Sequence, residues 1–247
     1  LITGAGGTIG SELSKQVVRH NPARLILVDN GEYNLYRIDQ DLREYKNIYS
    51  AYLGDVTDSA HMEEIFAAER PDIVLHAAAL KHVPLSEANP IEAVSTNVEG
   101  TKNIIKMATQ HNTDSFTLVS TDKAVKPSNI MGATKRIAEM MTLAAATQSP
   151  GLSACAVRFG NVLDSTGSVV PLFEKQINKG GPVTVTHRDA TRFFMTVEEA
   201  AALVLQASAL SSIQRKEMAA VYVLDMGEPV NIAKLARQLI RLRGYVP

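Results

Sequence analysis

The sequence predicts a doubly wound α/β fold, built on a mostly parallel sheet, with a smaller lobe towards the carboxyl end of the chain. Apolar, β-rich runs alternate with helical patterns up to about residue 162. A glycine-rich turn joins the first of these runs to the first helical segment. Strands that alternate with helices are connected by right-handed crossovers, which give parallel sheets.

The strand candidates are the runs LIT, RLILVD, IYSAYLGDV, DIVLHAAA, SFTLVST and SACAVRFGNV. Helical spacing of apolar residues predicts helices near 8–20, 33–46, 59–69, 90–112 and 131–148. After about residue 162, short segments with Gly and Pro breaks indicate the smaller lobe, and the spacing over 198–210 is typical of a core helix. We expect two interleaved parts, 1–162 and 163–247, with ligands at the carboxyl ends of the strands.

The composition is that of an ordinary soluble globular protein. Of 247 residues, 45% are apolar and 21% are charged, and the net charge is -1. This charge argues against nucleic acid and anionic membranes as partners, because both need clustered positive charge. The single cysteine, Cys155, excludes a disulfide within the chain and is consistent with a reducing, cytoplasmic compartment. The histidines show no metal-ligand spacing, so no metal site is expected.

The chain contains no apolar run near the roughly 18 residues that span a bilayer. We therefore expect no membrane contact from this segment. It starts at Leu1, inside the first predicted strand and without an initiator Met, which predicts a fragment of a longer protein.

The stretch LITGAGGTIGSEL places Gly4, Gly7 and Gly10 between a strand and a helix. Glycines at these points let the backbone approach a pyrophosphate, whose charge is met by N–H groups at the helix N-terminus. Asp29 ends the second strand, close to the roughly 20 residues after the glycines where a carboxylate bonds the adenosine ribose. It favours NAD over NADP, because it repels a 2′-phosphate and the next arginine is Arg37. A tight strand-to-helix turn without a ligand is the alternative.

Several segments carry a resemblance to a known family: TGAGGTIGSEL, VDNGEYNLY, GDVTD, HAAALKHVPLSEANPIEAVSTNVEGT, STDKAVKPSNIMGATKRIAE, RFGNVLDSTGSVVPLF and VTHRDATRFFMT. They cover nearly the whole chain and resemble the extended short-chain dehydrogenase/reductase superfamily. Within it, they are similar to the polysaccharide-biosynthesis 4,6-dehydratases that act on UDP-N-acetylglucosamine. The triplet Thr121–Asp122–Lys123 is the most specific part, because related hexose dehydratases have a glutamate after the aspartate.

The resemblance implies a Rossmann-like, NAD-binding domain over 1–162 and a substrate-binding lobe over 163–247. It implies a UDP-N-acetylhexosamine as substrate and a 4-keto-6-deoxy sugar for surface glycans as product. Motifs and resemblance together place cofactor binding on Gly4, Gly7, Thr8, Ile9, Gly10, Asp29, Asn30, Asp55, Val56, Ala77, Ala78, Ala79, Asn97 and Lys135.

Most members of the superfamily have Tyr-x-x-x-Lys where this chain reads Met131-x-x-x-Lys135. Long, membrane-anchored dehydratases of the resembled family also carry methionine there, which implies a cytoplasmic catalytic domain of a protein anchored to the inner membrane. Lys135 lies one helical turn after Met131, and the resemblance implies that it holds the nicotinamide ribose. A thioether has no proton to give, so we expect Met131 to pack against the ring or the sugar.

Dehydration between C4 and C6 of a hexose needs a base at C5, an acid at C6 and a route for the C4 hydroxyl proton, while NAD takes hydride from C4 and returns it to C6. The triplet follows the strand SFTLVS, at the expected carboxyl edge of the sheet. We expect Asp122 to be the acid and Lys123 the base, tuned by their proximity and by desolvation. The C4 proton leaves through Asp122, through the Thr121 hydroxyl or through an ordered water. A capping Asp beside a solvated Lys is the alternative.

The resemblance also implies contacts to the sugar nucleotide. The planar guanidinium of Arg192 suits phosphate oxygens, although an ion pair with Asp189 is the alternative. The helix predicted over 90–112 is expected to pair with its mate if the protein is a homo-oligomer. The expected substrate contacts are Lys81, His82, Asn161, Ser168, Val169, Thr186 and Arg192.

Two other functions stay open at this point. A UDP-sugar epimerase would use the same cofactor; Lys123 beside Asp122 favours C5 chemistry, and a 4-epimerase would miss the tyrosine most. A non-catalytic scaffold that binds NAD or a UDP-sugar is the second, and Met131 is the only sequence observation in its favour.

Overall fold

In the computed structural model, residues 1–163, 168–214 and 219–246 are described. Their strands are β1 (Ile2–Thr3), β2 (Leu25–Asp29), β3 (Tyr49–Leu53), β4 (Ile73–His76), β5 (Ser115–Thr121), β6 (Ser153–Phe159), β7 (Asn161–Val162), β8 (Thr191–Arg192), β9 (Phe194–Met195), β10 (Ala220–Val223) and β11 (Val230–Asn231). Seven strands form one parallel sheet in the order β10-β6-β5-β4-β1-β2-β3. The predicted doubly wound α/β fold is confirmed.

Helices cover both faces of this sheet. They are α1 (Thr8–Val18), α2 (Glu32–Asp41), α3 (Ser59–Glu69), α4 (Val83–Ala88), α5 (Pro90–Val94), α6 (Thr101–Gln110), α7 (Ile130–Gln148), α8 (Val169–Asn178), α9 (Val197–Ile213) and α10 (Ile232–Leu242). Because successive strand residues point to opposite faces, Leu25 and Leu27 of β2 join one core with α1, α2 and α9, and Ile26 and Val28 join the other with α3, α6 and α7.

The helix predicted over 90–112 is interrupted. Its middle, Ser95–Gly100, forms a π-helical segment between α5 and α6. Asn97 lies in this segment and is fully buried, and its side-chain amide bonds both the N–H (2.8 Å) and the carbonyl oxygen (3.0 Å) of Leu80 and the Thr134 hydroxyl (3.0 Å). The π-helical segment lies where the buried Asn97 amide holds the loop that contains Leu80. Such segments often occur near functional sites.

The sixth predicted strand splits at Gly160. β6 stays in the main sheet, whereas β7 leaves it and pairs with β9. Beyond residue 162 the chain returns to the sheet, since β10 pairs with β6 and α9 packs against α1 and β6. The parts on either side of residue 162 are therefore interleaved. The smaller lobe packs around Phe173, Ile232 and Ala236, and residues 164–167 of the motif RFGNVLDSTGSVVPLF lie outside the described residues.

Within the described ranges, no helix is both long and apolar enough to cross a membrane. The same ranges hold no group of three or more His, Cys, Asp or Glu side chains placed to bind a metal ion.

Candidate active site

A cleft of about 780 Å³ runs along the carboxyl ends of β1, β4, β5 and β6. This is the edge where parallel α/β sheets bind ligands, beside the point where the strand order reverses. Of the residues predicted from the sequence, its lining includes Gly4, Gly7, Thr8, Ile9, Gly10, Ala77, Ala79, Lys81, His82, Thr121, Lys123, Met131, Lys135, Asn161 and Ser168.

The glycine turn brings bare backbone to the cleft. Gly4 has a left-handed φ of +65°, and a Cβ built there would lie 2.7 Å from the backbone nitrogen of Ala78. A Cβ on Gly10 would overlap the carbonyl oxygen of Gly4. α1 begins at N-cap Gly7, which has no side chain to bond the first N–H groups of the helix. The turn is a cradle for an anion, which fits the pyrophosphate of a dinucleotide.

Asp29 anchors this turn to the next one. Its carboxylate accepts hydrogen bonds from the backbone N–H groups of Gly6 (2.9 Å) and Gly31 (2.8 Å), and only 7% of the residue is exposed. A carboxylate has about four acceptor positions, so bonds to ribose hydroxyls remain compatible with these two. Asp29 thus has a structural role that the sequence argument did not include.

Asn30 and Asp55 meet near the end of β2. The Asn30 amide donates to Asp55 (2.9 Å), and Thr57 donates to Asp55 from its N–H (2.8 Å) and its hydroxyl (2.7 Å). Burial alone would raise the pKa of Asp55, but these hydrogen bonds lower it. Val56 is buried against Gly100, and Asn97 is fully buried. Neither side chain faces the cleft, so these two predicted cofactor contacts instead pack against or bond the protein's own loops in this structure.

The triplet Thr121–Asp122–Lys123 forms one hydrogen-bonded group where β5 ends. Asp122 Oδ1 accepts from the Thr121 hydroxyl and from Lys123 Nζ, both at 2.9 Å. The side chains of Asp122 and Lys123 are 49% and 34% exposed. Solvent therefore reaches the pair, and the desolvation expected from the sequence is not provided by the protein alone.

Met131 and Lys135 form the buried wall beside the triplet. Met131 is only 3% exposed, and no tyrosine lines the cleft in the part of the chain that the structure describes. Lys135 is 5% exposed and donates from Nζ to the carbonyl oxygen of Val119 (2.6 Å). Burial lowers the pKa of Lys135 to about 8, against the opposing effect of the Glu139 carboxylate.

A buried chain of hydrogen bonds is centred on His76. The His76 ring is fully buried and bonds the hydroxyls of Thr3 (2.6 Å) and Thr101 (3.0 Å), and Thr101 donates to the carbonyl oxygen of Asn97 (2.7 Å). Burial, assisted by the positive charge of Lys135, lowers the pKa of His76 to about 3. His76 is therefore neutral at physiological pH and links β1, β4 and the π-helical segment.

The predicted substrate contacts divide into two groups. Asn161 and Ser168 lie in the cleft with Lys81 and His82, and the buried hydroxyl oxygen of Ser168 has no hydrogen-bond partner among the described residues. Such an atom fits a polar ligand group. Val169 begins α8 directly after Ser168.

Thr186 and Arg192 are exposed and lie outside this cleft. Arg192 belongs to β8, which pairs with β11 in the lobe, and its guanidinium donates to the carbonyl oxygen of Thr191 (2.8 Å). The alternative ion pair with Asp189 is absent among the described residues.

The cleft also includes side chains that the sequence argument missed. Asn34 and Arg37 of α2 lie near the glycine turn, and Ser120 and Phe159 lie at the ends of β5 and β6. The last two were accessible from sequence, because each stands at the carboxyl end of a predicted strand.

The comparisons with known proteins agree with this geometry. The sequence profile of a family described as polysaccharide biosynthesis protein matches residues 1–247. The chain belongs to this family. The family resemblance drawn from the motifs is thereby confirmed.

Two relatives and one solved structure extend this similarity. The chain is 50% identical over 99% of its length to capsular polysaccharide biosynthesis protein CapD of Staphylococcus aureus, of which it spans 40%. It is 37% identical over 84% of its length to a protein of Rickettsia massiliae named UDP-glucose 4-epimerase, of which 61% is covered. The X-ray structure of Pen from Bacillus thuringiensis has 31% sequence identity to this chain and a TM-score of 0.89. The match covers 99% of this chain and 75% of the Pen chain.

We expect Gly10→Ala to lower NAD affinity at least about tenfold, because the added Cβ overlaps the Gly4 carbonyl oxygen and displaces the phosphate-binding turn. Isothermal titration with NAD measures the change, after thermal unfolding has shown that the variant is folded. Gly151→Ala is the matched control, since nothing lies within 4 Å of its Cβ. Equal NAD affinity in both variants would show that the turn does not hold the cofactor.

The lowered pKa of Lys135 predicts that the free energy of unfolding depends on pH. The folded protein releases the Lys135 proton near pH 8, whereas the unfolded chain holds it to about pH 10.5, so this group adds stability as the pH rises between these values. The free energy of unfolding of the parent protein, relative to Lys135→Met, should rise by on the order of 2 kcal/mol from pH 7 to pH 10. Urea unfolding at both pH values measures it, with the exposed Lys175→Met as control. Parallel pH dependence of the parent and Lys135→Met would contradict the assignment.

Proposed function

We propose that this chain is the catalytic domain of an NAD-dependent lyase that dehydrates UDP-N-acetylglucosamine to a UDP-4-keto-6-deoxy-N-acetylhexosamine for surface polysaccharide or glycan synthesis. The observation that carries the proposal is the hydrogen-bonded triplet Thr121–Asp122–Lys123. Thr121 and Lys123 line the cleft with Lys135, Asp122 bonds both of them, and the described lining holds no tyrosine. A carboxylate and an amine joined in this way are suited to acid and base work on adjacent carbons.

The cofactor proposal rests on the glycine turn and on the polar groups near the end of β2. The backbone at Gly7 and Gly10 would hold the pyrophosphate, and Asp29 with Asn30 and Asp55 would hold the adenosine. When bound, NAD supplies the hydride acceptor for C4 and the hydride donor for C6. Lys135 would hold the nicotinamide ribose, with Met131 packed against the ring or the sugar.

The ion pair between Asp122 and Lys123 connects the two proton transfers. Moving one proton from Lys123 Nζ to Asp122 along their 2.9 Å bond would give a neutral amine and a neutral acid. These are the forms required to take the C5 proton and to protonate the leaving C6 hydroxyl. A sugar that fills the cleft would displace water from this exposed pair and favour the neutral forms.

The C4 hydroxyl proton has to leave by a route that does not involve Met131. We propose that it leaves through Asp122, through the Thr121 hydroxyl, or through an ordered water in the space of a tyrosine ring. On the first route the C4 proton itself makes Asp122 the acid, and Lys123 then releases its own proton to water rather than to Asp122; on the other two routes the C4 proton goes to solvent.

The sugar nucleotide would lie between the triplet and the lobe. This part of the cleft is lined by the Ser168 hydroxyl, which has no partner within the described ranges, by the Asn161 amide and by the side chains of Lys81 and His82. Val169, next to Ser168 at the start of α8, would contact the nucleotide through its backbone.

We also propose a location and an assembly for the whole protein. The chain spans 40% of the CapD relative, and the full-length protein would be anchored to the inner membrane with this domain on the cytoplasmic side. A homo-oligomer would use the exposed apolar side chains of α5 and α7, namely Ile91, Val94, Ile137 and Met140.

The second candidate function is epimerisation of a UDP-sugar, which the name of the Rickettsia relative favours. A 4-epimerase removes and returns hydride at C4 alone, so it needs no acid for C6 and no base for C5. The placement of Asp122 and Lys123 therefore favours the dehydratase.

The proposal is tested by incubating the domain, with its natural flanking sequence, with NAD and UDP-N-acetylglucosamine in deuterated water, followed by proton NMR. A new C6 methyl signal with deuterium at C5 is expected. A C4 epimer without exchange at C5 would establish the epimerase instead. Binding without any chemical change would favour a non-catalytic scaffold.

Variants at the triplet and at Met131 separate proton transfer from packing. We expect Asp122→Asn to lower kcat about 100-fold or more, because an amide cannot supply the proton. Met131→Leu should keep kcat within about threefold, because leucine preserves the apolar volume. Steady-state kinetics measure both, and an active Asp122→Asn with an unchanged pH profile would remove Asp122 from the mechanism.

A further inference from the structure

A fully buried carboxylate lies directly behind the catalytic triplet. Glu139 of α7 has no exposed surface and accepts four hydrogen bonds. Arg158 donates from Nε (2.7 Å) and Nη2 (2.6 Å), Ser120 from its hydroxyl (2.6 Å) and Arg136 from Nη1 (3.1 Å). The pair with Arg158 is bidentate, the most directional form of a carboxylate contact.

This cluster joins three elements that form the cleft. Ser120 directly precedes the triplet on β5, and Arg158 is its register partner on β6. Both face α7, because they have the same parity as Phe116 and Ala154, which pack into the core on that side. Glu139 lies one helical turn after Lys135. One carboxylate therefore connects the wall that carries Lys135, the end of β5 and the strand that leads to Asn161.

The single carboxylate of the cluster faces two guanidinium groups, those of Arg136 and Arg158. Burial of Glu139 would by itself raise its pKa, but the hydrogen bonds from Arg158, Ser120 and Arg136 lower it, so the carboxylate stays ionised. Replacement of such a buried pair by apolar residues is often neutral for stability, whereas removal of one partner leaves an uncompensated charge.

We propose that Glu139 is a positioning residue, whose bonds to Ser120 and Arg158 set the distance between the triplet on β5, Lys135 on α7 and Asn161 after β6. This inference rests on the proposed function, because the positions set by Glu139 matter for turnover only if the triplet, Lys135 and Asn161 act on the ligand. Glu139 itself does not touch the ligand. A shift of catalytic groups by about 1 Å can lower the rate on the order of 100-fold. A contact that holds α7, β5 and β6 in place is therefore expected to affect turnover.

The test replaces the pair without leaving a buried charge. In Glu139→Met/Arg158→Met, the methionines fill a similar side-chain volume, and the polar contacts between α7, β5 and β6 are lost. We expect a folded protein with a melting temperature near that of the parent, NAD affinity within about fivefold and kcat lowered about 10- to 100-fold. Backbone amides of the peptide 116–125 should exchange with deuterium at least about tenfold faster in the unliganded variant.

The control is the more exposed pair between Arg24 and Glu69, whose side chains are 49% and 10% exposed. Arg24 also contacts its glutamate through Nε and Nη2 (both 3.1 Å) and a serine hydroxyl, that of Ser50 (2.6 Å), but it does so just before β2, at the opposite edge of the sheet. Arg24→Met/Glu69→Met should leave kcat and the exchange of 116–125 unchanged.

A stable Glu139→Met/Arg158→Met variant with parental kcat and parental exchange would overturn the proposal. If that variant does not fold, Ser120→Ala decides, since it removes only the bond to β5 and should still speed the exchange; unchanged exchange would count against the proposal. If the parent itself shows no turnover of UDP-N-acetylglucosamine, the proposed function fails, and the exchange of the unliganded proteins tests the positioning role on its own.

Discussion

The reversal of strand order beside β1 determines where the functional side chains lie. The chain builds β1, β2 and β3 in one direction, then returns so that β4 pairs with the other side of β1. The chain after β1 consequently runs to the face covered by α1, and the chain after β4 runs to the face covered by α6. The crevice at this reversal is the general position of ligand sites in open parallel sheets. The glycine turn, the loop after β4 and the triplet after β5 reach this crevice from successive strands.

In the proposed mechanism the acid–base groups lie at the end of β5, and Met131 on α7 takes no part in proton transfer. In the structure, Met131 is buried and Lys135 is bonded to a backbone carbonyl, so this part of α7 is a rigid apolar wall with one cation. The titratable pair Asp122 and Lys123 is instead accessible to solvent. In the proposed mechanism Met131 and Lys135 lie on the cofactor side, and the exposed pair transfers protons once a bound sugar covers it.

The sequence predicted most of the fold because its patterns are local. The alternation of apolar runs and helical spacing located β1 to β6 and α7, and the glycine spacing located the turn after β1. Long-range contacts were not accessible in this way. The π-helical segment depends on the bonds from Asn97 to Leu80, and β10 pairs with β6 although it is only four residues long. The position of Arg192 outside the cleft follows from the pairing of β8 with β11, which no local pattern signals.

We propose that Asp122 and Lys123 act on the sugar at C6 and C5 while Met131 only packs. A crystal structure of the domain with NAD and UDP-N-acetylglucosamine bound would test this arrangement. We expect a carboxylate oxygen of Asp122 near the C6 hydroxyl and Lys123 Nζ near C5, each within roughly 3.5 Å, the reach of proton transfer and near-attack geometry. A sugar bound with C5 and C6 turned away from both side chains would contradict it.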